Sequence, residues 1–344
     1  GVLITSKDDY VKASLTDGQV KLDGEIRLKG DFVDHLSGSK WSYRVKLKDE
    51  NTFLGMKKFS LQSPVTRNYL WEWVFHELLR NEGLPSLKYY FRPLIVNGNN
   101  LGVYAIEEHF DKILLESNGF KEAPILKFSE KLFWEKKLNN LVQEREDSYK
   151  KSFSTAFQLN KIAKNKILNE NLIVANQLLN GFQNNLFTTS EVFDLNLLAK
   201  YFVIIDLMNA SHASNWHNIR FYYDPFQSKL VPIGFDGDTN ELPLEMLSIQ
   251  RADEFRKNIF KDLEFTKLYI QNLKRISKKS YLDNFFKIRK NDFEINKNIL
   301  YKSFPALNTN PKNLYENQET ITNFLNPINA INAFLENLDS KEIV

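Results

Sequence analysis

The periodicity of the chain changes near residue 128, and that change limits the possible folds more than any other feature. Before it, short runs alternate apolar and polar residues with a period of two, the pattern of half-buried strands, and one helical stretch interrupts them. After it, long Lys-, Asn- and Leu-rich segments read as helices, broken by a single polar hairpin over residues 218–236. The expected organisation is a small β-rich lobe with one helix and an acidic strand exit over residues 1–128, and a larger, mainly helical lobe over residues 129–344. A chain of this length has room for two cores.

Within the first part, Gly24–Lys29 (GEIRLK) and Ser42–Lys48 (SYRVKLK) put Ile26, Leu28, Tyr43, Val45 and Leu47 on one face. Arg27, Lys29, Arg44 and Lys46 fall on the other, so four cations share a sheet surface that needs anions to neutralise it. A solvated strand face is the plainer alternative. Thr66–Arg80 contains no Gly or Pro, follows Pro64 and spaces Leu70, Trp73, Val74 and Leu78 at helical intervals; it predicts an amphipathic helix ending near Gly83 and Pro85. Tyr90–Val96 and Leu101–Glu107 flank Asn97-Gly98-Asn99-Asn100, a strong hairpin signal. In the second part Leu195–Ala210 is the most apolar segment and reads as a central helix, while breaks are expected at Pro305 and at residues 308–311.

The polar hairpin consists of Ile219–Tyr223 (IRFYY) and Ser228–Phe235 (SKLVPIGF), joined through Asp-Pro-Phe-Gln. Symmetric pairing about that turn sets positions summing to about 454 opposite each other, roughly 5 Å apart. Asn218 then faces Asp236. An amide oxygen beside a carboxylate makes a hard oxygen site suited to Mg²⁺ carrying a phosphate. The structural alternative is that Asn218 caps a turn and Asp236 opens the loop GDT, in which Asp238 either assists or starts a turn.

Several classes are excluded. The absence of cysteine rules out disulfides, thiolate zinc sites and a cysteine nucleophile. A net charge of +3 gives no support for a nucleic-acid or membrane partner. No run approaches about 20 apolar residues, so no transmembrane segment is expected, and the first residues lack the layout of a signal peptide. The start at Gly1 rather than Met reads as a trimmed end, from which a targeting segment could have been removed. No GxGxxG, GxxxxGK[ST] or GxSxG motif occurs. GDFVDHLSGSK, between the first two basic strands, could cover phosphates, but Asp31 and Asp34 would repel them. A zinc site could use His212 and His217 with Asp236, although their spacing lacks the HExxH pattern.

A β-rich lobe with one helix, an acidic strand exit and a helical lobe with one polar hairpin is the layout of a protein kinase. RLKGDF at Arg27–Phe32, KWSYRVKL at Lys40–Leu47, FLGMKKFSL at Phe53–Leu61, ELLRNEGLPS, VNGNNLGVYAIEEHFDK and NIRFYYDP…LVPIGFDGDT resemble, in order, the blocks of the CotH (spore coat protein H) kinase-like family. The resemblance covers Glu25–Thr239; the residues after it carry no motif that can be placed. It implies an α+β, bilobal, atypical protein-kinase-like fold that uses ATP with Mg²⁺ or Mn²⁺ to phosphorylate secreted or surface-associated proteins. By the same resemblance Lys46 contacts phosphate, with Arg44 or Lys29 as alternatives, and Glu77 positions it. Glu107 and Glu108 lie on the strand resembling the adenine hinge, where backbone groups bind the base. Asn218 and Asp236 are the implied metal ligands, with Asp238 ranked behind them.

One departure stands out. The family pattern has an Asp several residues before the Asn matched by Asn218, whereas His212–Asn218 contains no carboxylate, and Asp206 lies upstream in the apolar helix. His212 takes the place of the missing acid, and an imidazole with an ordinary pKa near 6.5 can serve as a general base. The expected activity is phosphoryl transfer from ATP to a protein Ser or Thr hydroxyl, or to a sugar hydroxyl. The alternative is a pseudokinase-like binding or scaffold protein of the cell envelope.

Overall fold

The computed structural model describes residues 5–6, 8–30, 36, 40–138, 145–239 and 242–327. The expected phosphate-covering loop falls mostly outside them, including Asp31, Asp34 and Gly38. The described strands form two antiparallel sheets. The first contains β1 (Val11–Thr16), β2 (Lys21–Leu28), β3 (Tyr43–Leu47), β4 (Lys58–Gln62), β5 (Tyr89–Val96) and β6 (Asn99–Glu108), in the order β1-β2-β3-β4-β6-β5. The second contains β7 (Ile125–Phe128), β8 (Ser154–Ala156), β9 (Arg220–Asp224) and β10 (Lys229–Ile233), in the order β10-β9-β7-β8. The result is the expected bilobal α+β fold. β7 lies before the boundary expected at residue 128 yet pairs with β8 and β9, so the second sheet starts a few residues earlier than alternation alone suggests.

The first sheet separates its faces as the period of two requires. Val45, Leu47, Phe59, Leu61, Tyr104 and Ile106 close a small core on one side. On the other, the register sets Arg27 opposite Arg44, Arg44 opposite Ser60, Ser60 opposite Glu107 and Glu107 opposite Tyr89, a polar row running across the sheet. The hairpin between β5 and β6 turns at Asn97 and Gly98, whose φ values of 50° and 83° suit these two residue types.

Helix α1 (Leu70–Asn81) starts later than the sequence pattern suggests. Asn68 and Tyr69 adopt left-handed φ values of 49° and 52°, which separate the helix from a short 3-10 turn over Pro64–Arg67. Leu70, Trp73, Val74 and Leu78 are buried, as their spacing predicts. The helix Leu195–Leu207 is buried along most of its length and is capped by Asp194, which accepts the Leu197 N–H at 3.0 Å. Asp206 is part of that core, accepting the Ser248 N–H at 2.8 Å and hydroxyls from Ser248 and Tyr269 at 2.6 Å each.

The C-terminal helices brace α1. Arg275 forms a bidentate pair with Glu82 at 3.0 and 2.6 Å, and the Tyr281 hydroxyl donates to the same carboxylate at 2.8 Å. Arg289 reaches Glu77 at 3.1 Å, and Phe293 packs against Trp71 and Trp73. The helices end at Tyr301 and resume at Lys312, in agreement with the breaks expected around Pro305 and residues 308–311.

Candidate active site

Residues from both sheets line a cleft of about 540 Å³. Arg27, Lys29 and Arg44 enter it from the basic face of the first sheet, with Glu107 and His109 from the end of β6. Lys127, Asn218, Arg220 and Asp236 come from the second sheet and its extensions, and Arg67 from the turn before α1. The basic face expected from sequence therefore becomes one wall of the cleft.

Burial makes the charges here consequential. Lys29 donates to Glu107 at 2.8 Å and to Gln62 at 2.7 Å. Burial lowers the affinity of Lys29 for its proton, and burial likewise opposes ionisation of Glu107, but Lys29 and Arg67 hold Glu107 below the usual carboxylate range. Lys58, at the start of β4, is pushed down to about 8 by burial and by the neighbouring Arg44 and Arg27. His109 is driven well below its ordinary value by burial, Arg44 and Lys58, so its imidazole is neutral. Arg220 lies among the rings of Phe235, Phe157 and Phe110, with its guanidinium carbon 5.1, 5.9 and 6.0 Å from their centroids. A surface this basic suits a polyanion.

Asn218 and Asp236 line the cleft, and His212 contacts both of them from behind that lining. His212 Nδ1 lies 3.4 Å from Asp236 Oδ1, and Asn218 Nδ2 donates to the His212 carbonyl at 3.2 Å. A carbonyl only accepts, so that contact fixes the amide nitrogen toward His212 and turns Asn218 Oδ1 away from that carbonyl. Asp236 also pairs with Arg67. Burial opposes ionisation of Asp236, yet Arg67 and His212 hold it far below the usual carboxylate range. Burial works against the His212 cation, but contact with Asp236 prevails and raises its pKa.

The other nominated residues are placed differently. Lys46 points out of the cleft, its side chain 57% exposed and 3.6 Å from Glu25. Glu77 does not approach it; it pairs with Arg80 and Arg289 on the far side of α1. Lys46 shares a face with Arg44 but does not line the cleft, so the partnership of Lys46 with Glu77 is not formed and Lys29 with Glu107 makes a buried ion pair there instead. The Glu108 carboxylate accepts from Lys88 Nζ at 2.7 Å and from its N–H at 2.9 Å. The amides of Glu108 and His109 bond to the carbonyls of Lys88 and Lys58, so the strand exit expected to resemble a hinge already uses those donors within the sheet. Asp206, tied to Ser248 and Tyr269, does not serve the cleft. The hairpin pairs Asp224 with Lys229 and Arg220 with Ile233, one residue out of the expected symmetry. Asn218 and Asp236 both lie beyond that ladder.

The donor set can be tested against the implied cations. Among the described residues no group of three or more His, Asp or Glu side chains is arranged to hold a metal ion, which removes support from a zinc site at His212, His217 and Asp236. One carboxylate and one amide oxygen, opening on a cationic cleft, instead fit a cation that completes its shell with phosphate oxygens and water, as Mg²⁺ does. Asp236 Oδ1 is buried and already faces Arg67, with His212 Nδ1 3.4 Å away, so a cation at that oxygen would share or displace those partners.

Sequence reasoning passed over Arg67, Asn68 and Glu72. The signal for Glu72 is its position four residues before His76, a polar pair among Trp71, Trp73, Val74 and Phe75 on the apolar side of α1.

Two lobes around a cationic cleft, with an Asn and an Asp at its floor, define a kinase-like protein. The chain belongs to the CotH kinase family: residues 26–337 match the family model described as CotH kinase protein. The match continues well past Thr239, so the helices that brace α1 belong to the family domain. No curated protein matches the chain. No helix among the described residues is long and apolar enough to cross a membrane.

Proposed function

We propose that the chain is a phosphotransferase that uses ATP and a divalent cation, Mg²⁺ or Mn²⁺, to phosphorylate a hydroxyl on a protein or sugar. The observation that carries the reading is that Asn218 and Asp236, both in contact with His212, line a cleft walled by Arg27, Lys29 and Arg44. The three cations bind phosphate oxygens, with Lys29 kept in place by Glu107. Asp236 and Asn218 hold the cation, with Asp238 as a weaker candidate. What the bound cation supplies is neutralisation of the charge on the β- and γ-phosphates. The acceptor oxygen bonds to the γ-phosphorus as the bond to the β–γ bridging oxygen breaks; the hydroxyl proton passes to His212 and ADP leaves. Placement in the cell envelope or outside the cell rests on family membership alone.

One observation favours a second reading, a pseudokinase-like protein that holds nucleotide without transferring phosphate. The nominated base is already engaged with Asp236, and that contact strengthens its hold on a proton. Calorimetry of ATP binding with and without Mg²⁺, on the wild type and on Asp236→Ala, tests the shared core of both readings. Metal-dependent affinity lost in the variant supports it, and no binding by the wild type refutes it. His212→Ala, assayed for transfer of labelled γ-phosphate, then separates enzyme from binder.

A further inference from the structure

The loop carrying Asp236 is gripped residue by residue by the segment that leads into α1. Arg67 pairs with Asp236. Glu72 accepts the Gly237 N–H at 3.0 Å on one carboxylate oxygen and the Asp238 N–H at 3.1 Å on the other. Asn68 donates to the Thr239 carbonyl at 3.0 Å. Three side chains from one short stretch thus hold four consecutive loop residues.

The backbone around these contacts is unusual on both sides. Asp236 and Asp238 take left-handed φ values of 56° and 41°, and Asn68 and Tyr69 do the same across from them. Non-glycine residues remain in that region only when their surroundings fix them. The approach is also close. A Cβ on Gly237 would lie 2.9 Å from the Phe75 ring and 3.0 Å from Glu72 Oε2, so any side chain there would wedge loop and helix apart. Glu72 is fully buried, with His76 as a further polar neighbour at 3.4 Å. A buried carboxylate is costly to keep, and this one is spent on two backbone amides next to the proposed metal ligand.

We infer that Glu72 is a positioning residue: by binding the two amides that follow Asp236, it aims the Asp236 carboxylate into the cleft for a divalent cation. Asn68 is the second anchor, holding the far end of the same loop. The inference rests on the proposed role of Asp236 as a metal ligand.

Glu72→Gln keeps the length of the side chain but has only one oxygen for two N–H groups. Its effect is read on the full chain as Mn²⁺ affinity, from the electron paramagnetic resonance signal of free Mn²⁺, and as the ratio of ATP affinities with and without Mn²⁺. The expected result is Mn²⁺ binding about tenfold weaker, with metal-free ATP affinity unchanged. A role confined to stability lowers the unfolding temperature and leaves that ratio alone; a folded variant with wild-type Mn²⁺ affinity overturns the inference. If Glu72→Gln does not fold, Asn68→Gly, which tolerates the left-handed backbone and removes the Thr239 anchor, decides by the same ratio. Wild-type protein that binds Mn²⁺ but not ATP ends the nucleotide reading and leaves the inference to be judged on Mn²⁺ alone. Wild-type protein that binds no Mn²⁺ overturns both.

Discussion

Asp206 allows a worked test of whether the acid upstream of the cleft is structural. It is buried, and burial outweighs its hydrogen bonds to Ser248 and Tyr269, so that its pKa rises from 3.8 to about 6. The folded state therefore resists ionising this group. Below about pH 4 the carboxyl is neutral in folded and unfolded chains alike and imposes no penalty. As pH rises from about 4 to about 6 the unfolded chain ionises first, and stability is lost; above that window the loss is complete, at about 3 kcal/mol. Asp206→Asn retains an oxygen for the Ser248 donors and offers an amide N–H to the Tyr269 oxygen. It never ionises. The variant should match the wild type near pH 4 and be more stable by about 3 kcal/mol at pH 7, a gain of several degrees in unfolding temperature. Parallel thermal melts from pH 4 to pH 8 measure the difference and cancel the titration of other groups. A gap that does not widen with pH, or a variant less stable at pH 7, would refute burial as the force that governs this carboxyl. Unchanged ATP affinity in the same variant would support keeping Asp206 out of the chemistry.

Lys29→Met should weaken ATP binding by about tenfold or more and destabilise the fold by about 3–5 kcal/mol, because Glu107 loses its buried partner. Lys46→Ala, at an exposed pair, should leave ATP affinity within about twofold of wild type; a larger loss for Lys46 than for Lys29 in calorimetry would reverse their assignment. Lys58 is cationic below about pH 8 and neutral above it. ATP affinity should therefore fall a few-fold between pH 7 and pH 9, as one positive charge is lost beside Arg44 and Arg27. Lys58→Met should flatten that dependence at low ionic strength, and a slope unchanged in the variant would remove Lys58 from the field of the site.

The parts of this molecule that follow from burial were legible in the sequence. Strand faces and the apolar side of α1 are set by periodicity, so Val45, Leu47, Leu70 and Leu78 could be assigned inward from spacing alone. Periodicity gives the face of a strand but not the position along it at which a cleft opens. Arg44 and Lys46 are equivalent by alternation, yet only Arg44 lines the cleft. The proximity of Asn218 and Asp236 was anticipated from a hairpin register one residue out; it does not depend on the ladder, which stops at Arg220 and Ile233 before the chain turns through the left-handed Asp236. Glu72 was not legible as a site residue because its partners lie 165 and 166 positions away. No local pattern encodes such a contact. What the sequence did contain was the anomaly of an acid on an apolar helix face, which requires a buried partner without identifying it.

That anomaly also gives the helices beyond the last recognisable motif a structural role. α1 carries the Glu72 grip on the Asp236 loop, so the geometry of the cleft floor depends on where α1 sits. Its N-terminal end is fixed by the contacts of Arg67 and Asn68 with the loop itself. Its outer side and C-terminal end are held by Arg289 on Glu77, by Phe293 on two tryptophans, and by Arg275 and Tyr281 on Glu82. These partners come from helices after residue 260, which carry no candidate ligand of their own. Their charged and aromatic contacts fix the helix along its length. These bracing residues, Arg275 to Phe293, fall inside the stretch 26–337 that matches the family model. A chain ending after the GDT loop would keep every residue nominated for chemistry and lose the support that aims Asp236.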